Sequence, residues 1–307
     1  MSGREMKSAL WGACVILALA AAPACALEAF PPAFKTQTIK VNGTQIYVRS
    51  GGSGPAVVLL HGFGDSGDMW APVAKALMAT HTVVVPDLRG FGLSGHPDSG
   101  YTKKNQALDI AGVMDALHVQ KADLVTHDIG NMVGYALAAQ FPARITKWIV
   151  IDAPLPGPDP IWQSQLSNPK AWHFNFYGPD EERLVAGRER IYLDRFYNEL
   201  SAHPARIDEA TRAHYAALLA KPHAVHDAFE QFRAFPQDSI DNRAFARSKL
   251  TMPVLALGAE KSYALVMKTD LDQVATNVKG GVVPDSGHWV MEENPAAVTK
   301  LVKGFLK

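Results

Sequence analysis

The sequence is nearly free of cysteine. Cys14 and Cys25 are the two cysteines among 307 residues, and both fall within the first 26. A chain without that segment has no thiol, which excludes disulfides, thiolate metal sites and a cysteine nucleophile. An excess of charge of one sign is also absent, since 30 basic side chains balance 30 acidic ones. Nucleic acid, whose phosphates require a basic surface, is therefore not an expected partner, whereas a small molecule of little charge is.

Long apolar runs are also missing, apart from one near the amino terminus. Two basic residues precede about 14 mostly apolar residues from Ala9 to Ala22, and Ala24-Cys25-Ala26 supplies the small residues of a cleavage site. The run is shorter than the roughly 20 residues that span a bilayer. Residues 1–26 are therefore predicted to be a signal peptide, with export to the periplasm or the medium after cleavage near Ala26. An uncleaved anchor is the alternative.

The rest of the chain alternates between strand-like and helix-like segments. Asn42-Gly43 lies between two stretches of alternating polarity, Thr36–Val41 and Thr44–Arg49, and predicts a hairpin. Short apolar runs without alternation indicate strands buried on both faces, and helix-like segments separate most of them. This order predicts a mainly parallel sheet with helices on both faces. The runs are Ala56–Leu60, Thr82–Val85, Ala122–Val125, Trp148–Ile151, Val254–Leu257 and Gly281–Val283.

One long segment departs from this alternation. Residues 155–247 contain no strand-like run but many aromatic, histidine and charged residues at helical spacing. Such an insertion between two strands of an α/β core commonly covers the active site. We therefore predict one α/β core, made of residues 27–154 and 248–307, interrupted by a helical cap.

A reactive residue is expected where a buried strand turns into a helix. The motif Gly-x-Ser-x-Gly, which marks a serine nucleophile, does not occur in the sequence. The strand Ala122–Val125 is instead followed by Thr126-His127-Asp128-Ile129-Gly130, with an aspartate at the centre of a nucleophile-elbow pattern. A carboxylate nucleophile suits an sp³ carbon that bears a leaving group. The alternative for Asp128 is a helix N-cap, a position that Asp favours.

Two further segments follow strand ends and fit the same chemistry. His61-Gly62-Phe63-Gly64 comes directly after Ala56–Leu60, so the backbone N–H groups of Phe63 and Ile129 are expected to stabilise negative charge at the Asp128 carboxyl. His288 follows the last strand, where a catalytic histidine is expected. The order of nucleophile, acid and histidine along the chain also fits.

These motifs, with Asp87-Leu88-Arg89-Gly90-Phe91-Gly92, resemble the α/β-hydrolase fold, and more narrowly its epoxide hydrolase and dehalogenase branch. Three segments of the cap, Trp172-His173-Phe174, Ala186–Arg190 and Lys221-Pro222-His223, resemble the exported, Cif-like epoxide hydrolases. The similarity extends over nearly all of the chain after residue 26. It implies hydrolysis of an epoxide to a vicinal diol through an ester on the aspartate.

The resemblance assigns roles to individual residues. Asp128 matches the nucleophile, and His288 matches the base that activates water. Asp152, 24 residues after Asp128, matches the acid that orients the histidine, and Glu260 after Val254–Leu257 is the competing candidate. No metal or cofactor is implied.

In the cap, the resemblance implies two groups that hold the epoxide oxygen. His173 matches the histidine, but the position of the family's tyrosine is occupied by Phe232, whose ring has no proton to donate. Three alternatives follow: His173 acts alone, another tyrosine such as Tyr177, one helical turn after His173, substitutes, or the natural reaction differs. Whether the chain forms a homodimer stays open.

Dehalogenation by the same Asp-His-Asp residues is the alternative reaction. Trp172 offers an indole N–H to a halide, whereas Ile129 and Met132 supply neither an indole nor a charge next to the nucleophile. A non-enzymatic binding protein on a hydrolase scaffold is a third reading, and the intact pair of Asp128 and His288 argues against it. The expected partners are water and a small apolar epoxide or halogenated compound.

Overall fold

The computed structural model describes residues 27–158 and 160–307, so the predicted signal peptide lies outside the described residues. Within these ranges, eight strands form one sheet. The strands are β1 Lys35–Val41, β2 Thr44–Gly52, β3 Ala56–Leu60, β4 Thr82–Pro86, β5 Ala122–His127, β6 Ile145–Ile151, β7 Val254–Ala259 and β8 Val278–Val283. The helices of the core are α1 Ala71–Leu77, α2 Lys103–Ala116, α3 Ile129–Gln140, α10 Val266–Leu271, α11 Val290–Glu293 and α12 Pro295–Leu306.

The order of strands across the sheet is β1-β2-β4-β3-β5-β6-β7-β8. β2 pairs antiparallel with β1 and β4, and the other neighbours are parallel. The predicted hairpin joins β1 and β2, with positive φ at Asn42 (43°) and Gly43 (74°), as a tight hairpin turn requires. Each apolar run identified in the sequence forms a strand. The prediction of a mainly parallel α/β-hydrolase sheet is confirmed.

Both faces of the sheet are covered, which explains the continuous apolar strands. In β3, Val58 and Leu60 pack toward α2 and α3 on one face, whereas Val57 and Leu59 pack toward α1 and α12 on the other. All four side chains are fully buried, and each such burial stabilises the fold by about 1.5–3 kcal/mol. The buried sheet is therefore a rigid support for the loops at its carboxyl edge.

The segment between β6 and β7 carries the cap helices α4 Ile161–Leu166, α5 Pro179–Val185, α6 Glu189–Leu200, α7 Glu209–Leu219, α8 Ala224–Arg233 and α9 Phe235–Phe245. A buried ion pair ties the cap to the core, with Lys103 Nζ 3.2 Å from Asp238 Oδ2. Breaking such a pair by removing one partner costs about 3–5 kcal/mol. The Tyr197 hydroxyl also donates to the Gly64 carbonyl at 2.7 Å. None of the helices in the described ranges is long and apolar enough to cross a membrane.

Candidate active site

Asp128 occupies the turn between β5 and α3 in a strained conformation. Its φ of 51° and ψ of −122° lie outside the regions that ordinary residues adopt, and such strain costs of order 1–3 kcal/mol. Its side chain makes no N-cap hydrogen bond, so helix capping does not account for the aspartate. Asn131 holds the turn against β6 by donating to the carbonyls of Ile151 (2.8 Å) and Ala153 (3.0 Å).

Two backbone N–H groups point at the Asp128 carboxylate. The Phe63 N–H donates to Asp128 Oδ1 at 2.8 Å, and the Ile129 N–H hydrogen-bonds the same carboxylate. Gly62 permits this approach, because a Cβ at that position would lie 2.4 Å from the Asp128 Cβ. Burial raises the pKa of Asp128, but the charge of His288 and the two N–H groups outweigh burial and lower that pKa below its usual value. The carboxylate is therefore ionised and positioned.

His288 lies between two carboxylates. Its Nδ1 is 2.9 Å from Asp152 Oδ2, and its Nε2 faces Asp128 Oδ2 at 3.6 Å. Asp152 is fully buried, and its Oδ1 accepts from the Ala259 N–H at 2.7 Å. An imidazole held by a buried carboxylate has a fixed orientation, with Nε2 directed toward the space beside Asp128.

Glu260, the competing acid, does not reach His288. Its side chain is 41% exposed and pairs with Lys261 at 2.7 Å, while its other oxygen accepts from the Asp285 N–H at 2.9 Å. The geometry thus brings Asp128, His288 and Asp152 together and leaves Glu260 at the surface.

A cavity of about 440 Å³ lies between core and cap, and Asp128 and His288 are among its lining residues. Most of its walls are aromatic or aliphatic. The cap residue His173 lines it beside Phe232, with their ring centroids 5.1 Å apart. Burial lowers the pKa of His173 to about 4, so its imidazole is neutral at pH 7 and carries one N–H that can be donated.

The family model and the similar proteins found for this chain agree with one another on its fold family. The family model for the α/β-hydrolase fold matches residues 55–295. The chain belongs to the α/β-hydrolase family. A soluble epoxide hydrolase of Corynebacterium sp. (strain C12) is 30% identical to this hydrolase over 269 residues, which are 84% of this chain and 92% of that protein.

Two further relatives represent the two reactions considered for this hydrolase. The crystal structure of the Cif epoxide hydrolase from Acinetobacter nosocomialis is similar with a TM-score of 0.84 and 25% identity, covering 91% of each chain. A fluoroacetate dehalogenase of Burkholderia sp. is 38% identical over 124 residues, which are 39% of this chain and 41% of that protein. The resemblance to the epoxide hydrolase branch is confirmed.

The cap positions suggested for Tyr177 and Trp172 are corrected by the structure of the hydrolase. The 3₁₀ segment Pro169–Asn175 ends before Tyr177, so Tyr177 does not share a helical face with His173. Its ring instead lies 4.7 Å from the Arg233 guanidinium. The Trp172 ring likewise stacks under Arg195 at 4.1 Å. Neither side chain lines the cavity.

Sequence reasoning missed other residues that do line the cavity. Trp162 of α4 is one, packed against Phe174 with ring centroids 5.2 Å apart. Tyr263, in the loop after β7, is another, and its hydroxyl donates to Gln165 Oε1 at 2.9 Å. The one sequence signal for Tyr263 is its place after a strand of the sheet, where functional side chains of this fold collect.

No group of three or more His, Cys, Asp or Glu side chains in residues 27–158 and 160–307 is arranged to hold a metal ion.

The pH dependence of this hydrolase is expected to identify the acid that acts on His288. Burial lowers the pKa of His288, but the Asp152 hydrogen bond and the charges of Asp128 and Asp152 outweigh burial, so that pKa is raised above 6.5. A general base must be neutral, so activity should fall as the pH falls through this raised pKa. In Asp152→Asn the acid limb of the pH–rate profile should move to lower pH, whereas in Glu260→Gln it should stay in place. A shift in Glu260→Gln alone would assign the role to Glu260.

Proposed function

We propose that the chain is an epoxide hydrolase that works through a covalent ester on Asp128. The observation that carries the proposal is an ionised aspartate at the elbow, held by two N–H groups beside a histidine–aspartate pair. The similarity to a soluble epoxide hydrolase supports the same reaction.

In the first step Asp128 attacks the less hindered epoxide carbon. The C–O bond breaks and its electron pair stays on the ring oxygen, which the neutral His173 stabilises by donating a hydrogen bond. The cavity keeps the epoxide over the carboxylate, and positioning of this kind supplies much of the rate acceleration. The alkoxide takes up one proton through solvent to give a β-hydroxyalkyl ester of Asp128, and the proton that His288 later takes from water is released to solvent in return.

In the second step water hydrolyses the ester. His288, oriented by Asp152, takes a proton from the water, which attacks the ester carbonyl carbon of Asp128. The N–H groups of Phe63 and Ile129 then stabilise the oxyanion, and each such donor is worth about 10²–10³ in rate. Collapse of the intermediate releases the vicinal diol and restores the Asp128 carboxylate.

Dehalogenation is the second candidate function, and the similarity to a fluoroacetate dehalogenase supports it. A haloacid substrate would require a cation beside the nucleophile, whereas Ile129 and Met132 provide none. A halide would require a pair of indole donors. Trp172 is turned to Arg195, which leaves Trp162 as the one tryptophan among the residues that line the cavity in the described part of the chain. The neutral His173 instead suits a ring oxygen that develops negative charge.

A substrate panel separates the two reactions. Purified enzyme lacking residues 1–26 is incubated with a series of terminal aliphatic epoxides and, separately, with haloalkanes and haloacetates of matched size. Diol formation with no halide release supports the proposal. Halide release at a higher kcat/KM than diol formation would make the protein a dehalogenase.

We further propose that the protein is exported, on the basis of the apolar run Ala9–Ala22 and the cleavage pattern at Ala24–Ala26. The prediction is that protein recovered from a periplasmic extract begins at or near Leu27, as read from intact mass and N-terminal sequencing. An intact amino terminus on protein confined to the cytoplasm would contradict export.

A further inference from the structure

The cavity holds an unassigned hydroxyl donor. We propose that Tyr263 is a catalytic residue that protonates the epoxide oxygen as the ring opens, alongside the hydrogen bond from His173. The inference rests on the proposed function and extends it, because one histidine donor is otherwise left to stabilise the developing alkoxide. Phe232, at the position where the resemblance implies a tyrosine, has no proton to give.

Tyr263 occupies the same cavity as the reacting groups. It lines the cavity together with Asp128, His173 and His288. Its hydroxyl hydrogen-bonds Gln165, itself a lining residue. The phenol therefore lies at the cavity wall, and a substrate oxygen can compete with Gln165 for its proton.

The backbone of Tyr263 is fixed by the catalytic acid. Its N–H donates to Asp152 Oδ1 at 3.3 Å, and Asp152 Oδ2 contacts His288. The loop that carries the phenol is thus anchored to the same carboxylate that orients the base. This shared anchor fixes the backbone of Tyr263 relative to the base, and Gln165 of the cap holds the hydroxyl.

The surroundings keep Tyr263 protonated. The pKa of Tyr263 is raised far above 10. Burial of the phenol raises that pKa most, and the negative charges of Asp152, Asp128 and Asp270 raise it further. The hydroxyl carries its proton at every working pH. Rotation about the Cζ–Oη bond turns this proton from Gln165 toward the substrate.

The tyrosines of the cap are unsuited to the role. Tyr177 lies against Arg233. Tyr192 packs among rings, with Phe176 and Phe229 at 6.0 and 5.9 Å. In the part of the chain that the structure describes, Tyr263 is the one tyrosine among the residues that line this cavity.

The step balances without another reagent. Asp128 forms a bond to carbon, the epoxide C–O bond breaks, and the oxygen takes the phenolic proton, which leaves a phenolate on Tyr263. Ester hydrolysis then leaves one surplus proton on His288. That proton returns to the phenolate through solvent, so one complete cycle consumes one epoxide and one water.

The test isolates ester formation from ester hydrolysis. In a His288→Gln background, enzyme is mixed rapidly with an aliphatic epoxide, and the mass gain on Asp128 is followed in time. Adding Tyr263→Phe should slow ester formation by roughly 10²-fold, the usual effect of one lost transition-state donor. Tyr47→Phe, on β2 and under Arg49, is the matched control and should leave the rate unchanged.

Restoring a hydroxyl donor at another lining position, Phe232, completes the test. Phe232→Tyr added to Tyr263→Phe should recover at least about tenfold of the lost rate, since one lost donor costs more than this. Ester formation at the parental rate in folded Tyr263→Phe would overturn the assignment.

If Tyr263→Phe does not fold, the role of Tyr263 is tested by adding Phe232→Tyr alone to the His288→Gln background and measuring the rate of ester formation. A gain below about tenfold fits a site that already has its hydroxyl donor, and a larger gain would overturn the assignment. A His288→Gln parent that forms no ester at all would refute the proposed function itself, and with it the role of Tyr263.

Discussion

Replacing Asp128 by Asn should lower epoxide turnover by at least about 10⁴-fold, the scale on which catalytic nucleophiles and their partners matter. An amide is neutral and a poor nucleophile, so no ester forms. Asn has the same shape as Asp and is among the residues that tolerate positive φ, as the turn at Asp128 requires. Diol formation is the measurement, with thermal unfolding to check that the fold persists.

The matched control lies at the other end of the same strand. Asp123, near the amino end of β5, is buried and accepts a hydrogen bond from Thr146. Asp123→Asn should retain near-parental activity. Turnover by Asp128→Asn at a rate similar to that of Asp123→Asn would show that the carboxylate is not the nucleophile.

Replacing His288 by Gln should separate the two half-reactions. Asp128 keeps its two N–H donors and still attacks the epoxide, but no base remains to activate water, so one equivalent of ester forms and turnover stops. The expected result is a stoichiometric burst and a stable mass increase equal to the epoxide, located on the peptide that contains Asp128.

Asp152→Asn should slow hydrolysis of the ester, the half-reaction in which His288 activates water. An amide at this position can hold the imidazole in the wrong tautomer, which costs about 10⁴-fold in the serine hydrolases where a comparable change has been made. The ester should again accumulate and then decay slowly.

For the His288→Gln variant, steady multiple turnover without an accumulating ester would contradict the role of His288 as the base.

Most of the fold could be predicted from the sequence, because its strands and turns are marked by short stretches of neighbouring residues. The apolar run Ala56–Leu60 forms a strand with the same ends as predicted, since both of its faces are buried. The hairpin at Asn42-Gly43 followed from the tolerance of these two residues for positive φ. Residues 1–26 lie outside the described part of the chain, so the signal peptide remains a proposal.

The three side chains proposed for catalysis could be placed for a related reason. Asp128, Asp152 and His288 each follow a strand of the sheet, and the topology of a parallel sheet brings such residues to one edge. The choice between Asp152 and Glu260 was not decided by position, since both follow strands. It depends on a contact between distant residues, His288 and Asp152, that only the packed structure displays.

Predictions for the cap were less successful, because its segments are short and irregular. Tyr177 was assigned by helical spacing from His173, yet the chain leaves its 3₁₀ turn in between. Trp172 is adjacent to His173 but points to Arg195. Tyr263, in the core, was missed because its place after β7 does not by itself show that its side chain lines the cavity.

The most direct test of the account is a single turnover in ¹⁸O-water with an aliphatic epoxide. An ester on Asp128 requires that the first label enter the carboxylate of Asp128, and that labelled oxygen reach the diol on later turnovers. The account predicts this order, with mass spectrometry of the Asp128 peptide as the readout. Label that enters the diol in the first turnover and leaves Asp128 unlabelled would mean direct attack by water, and would contradict the ester mechanism.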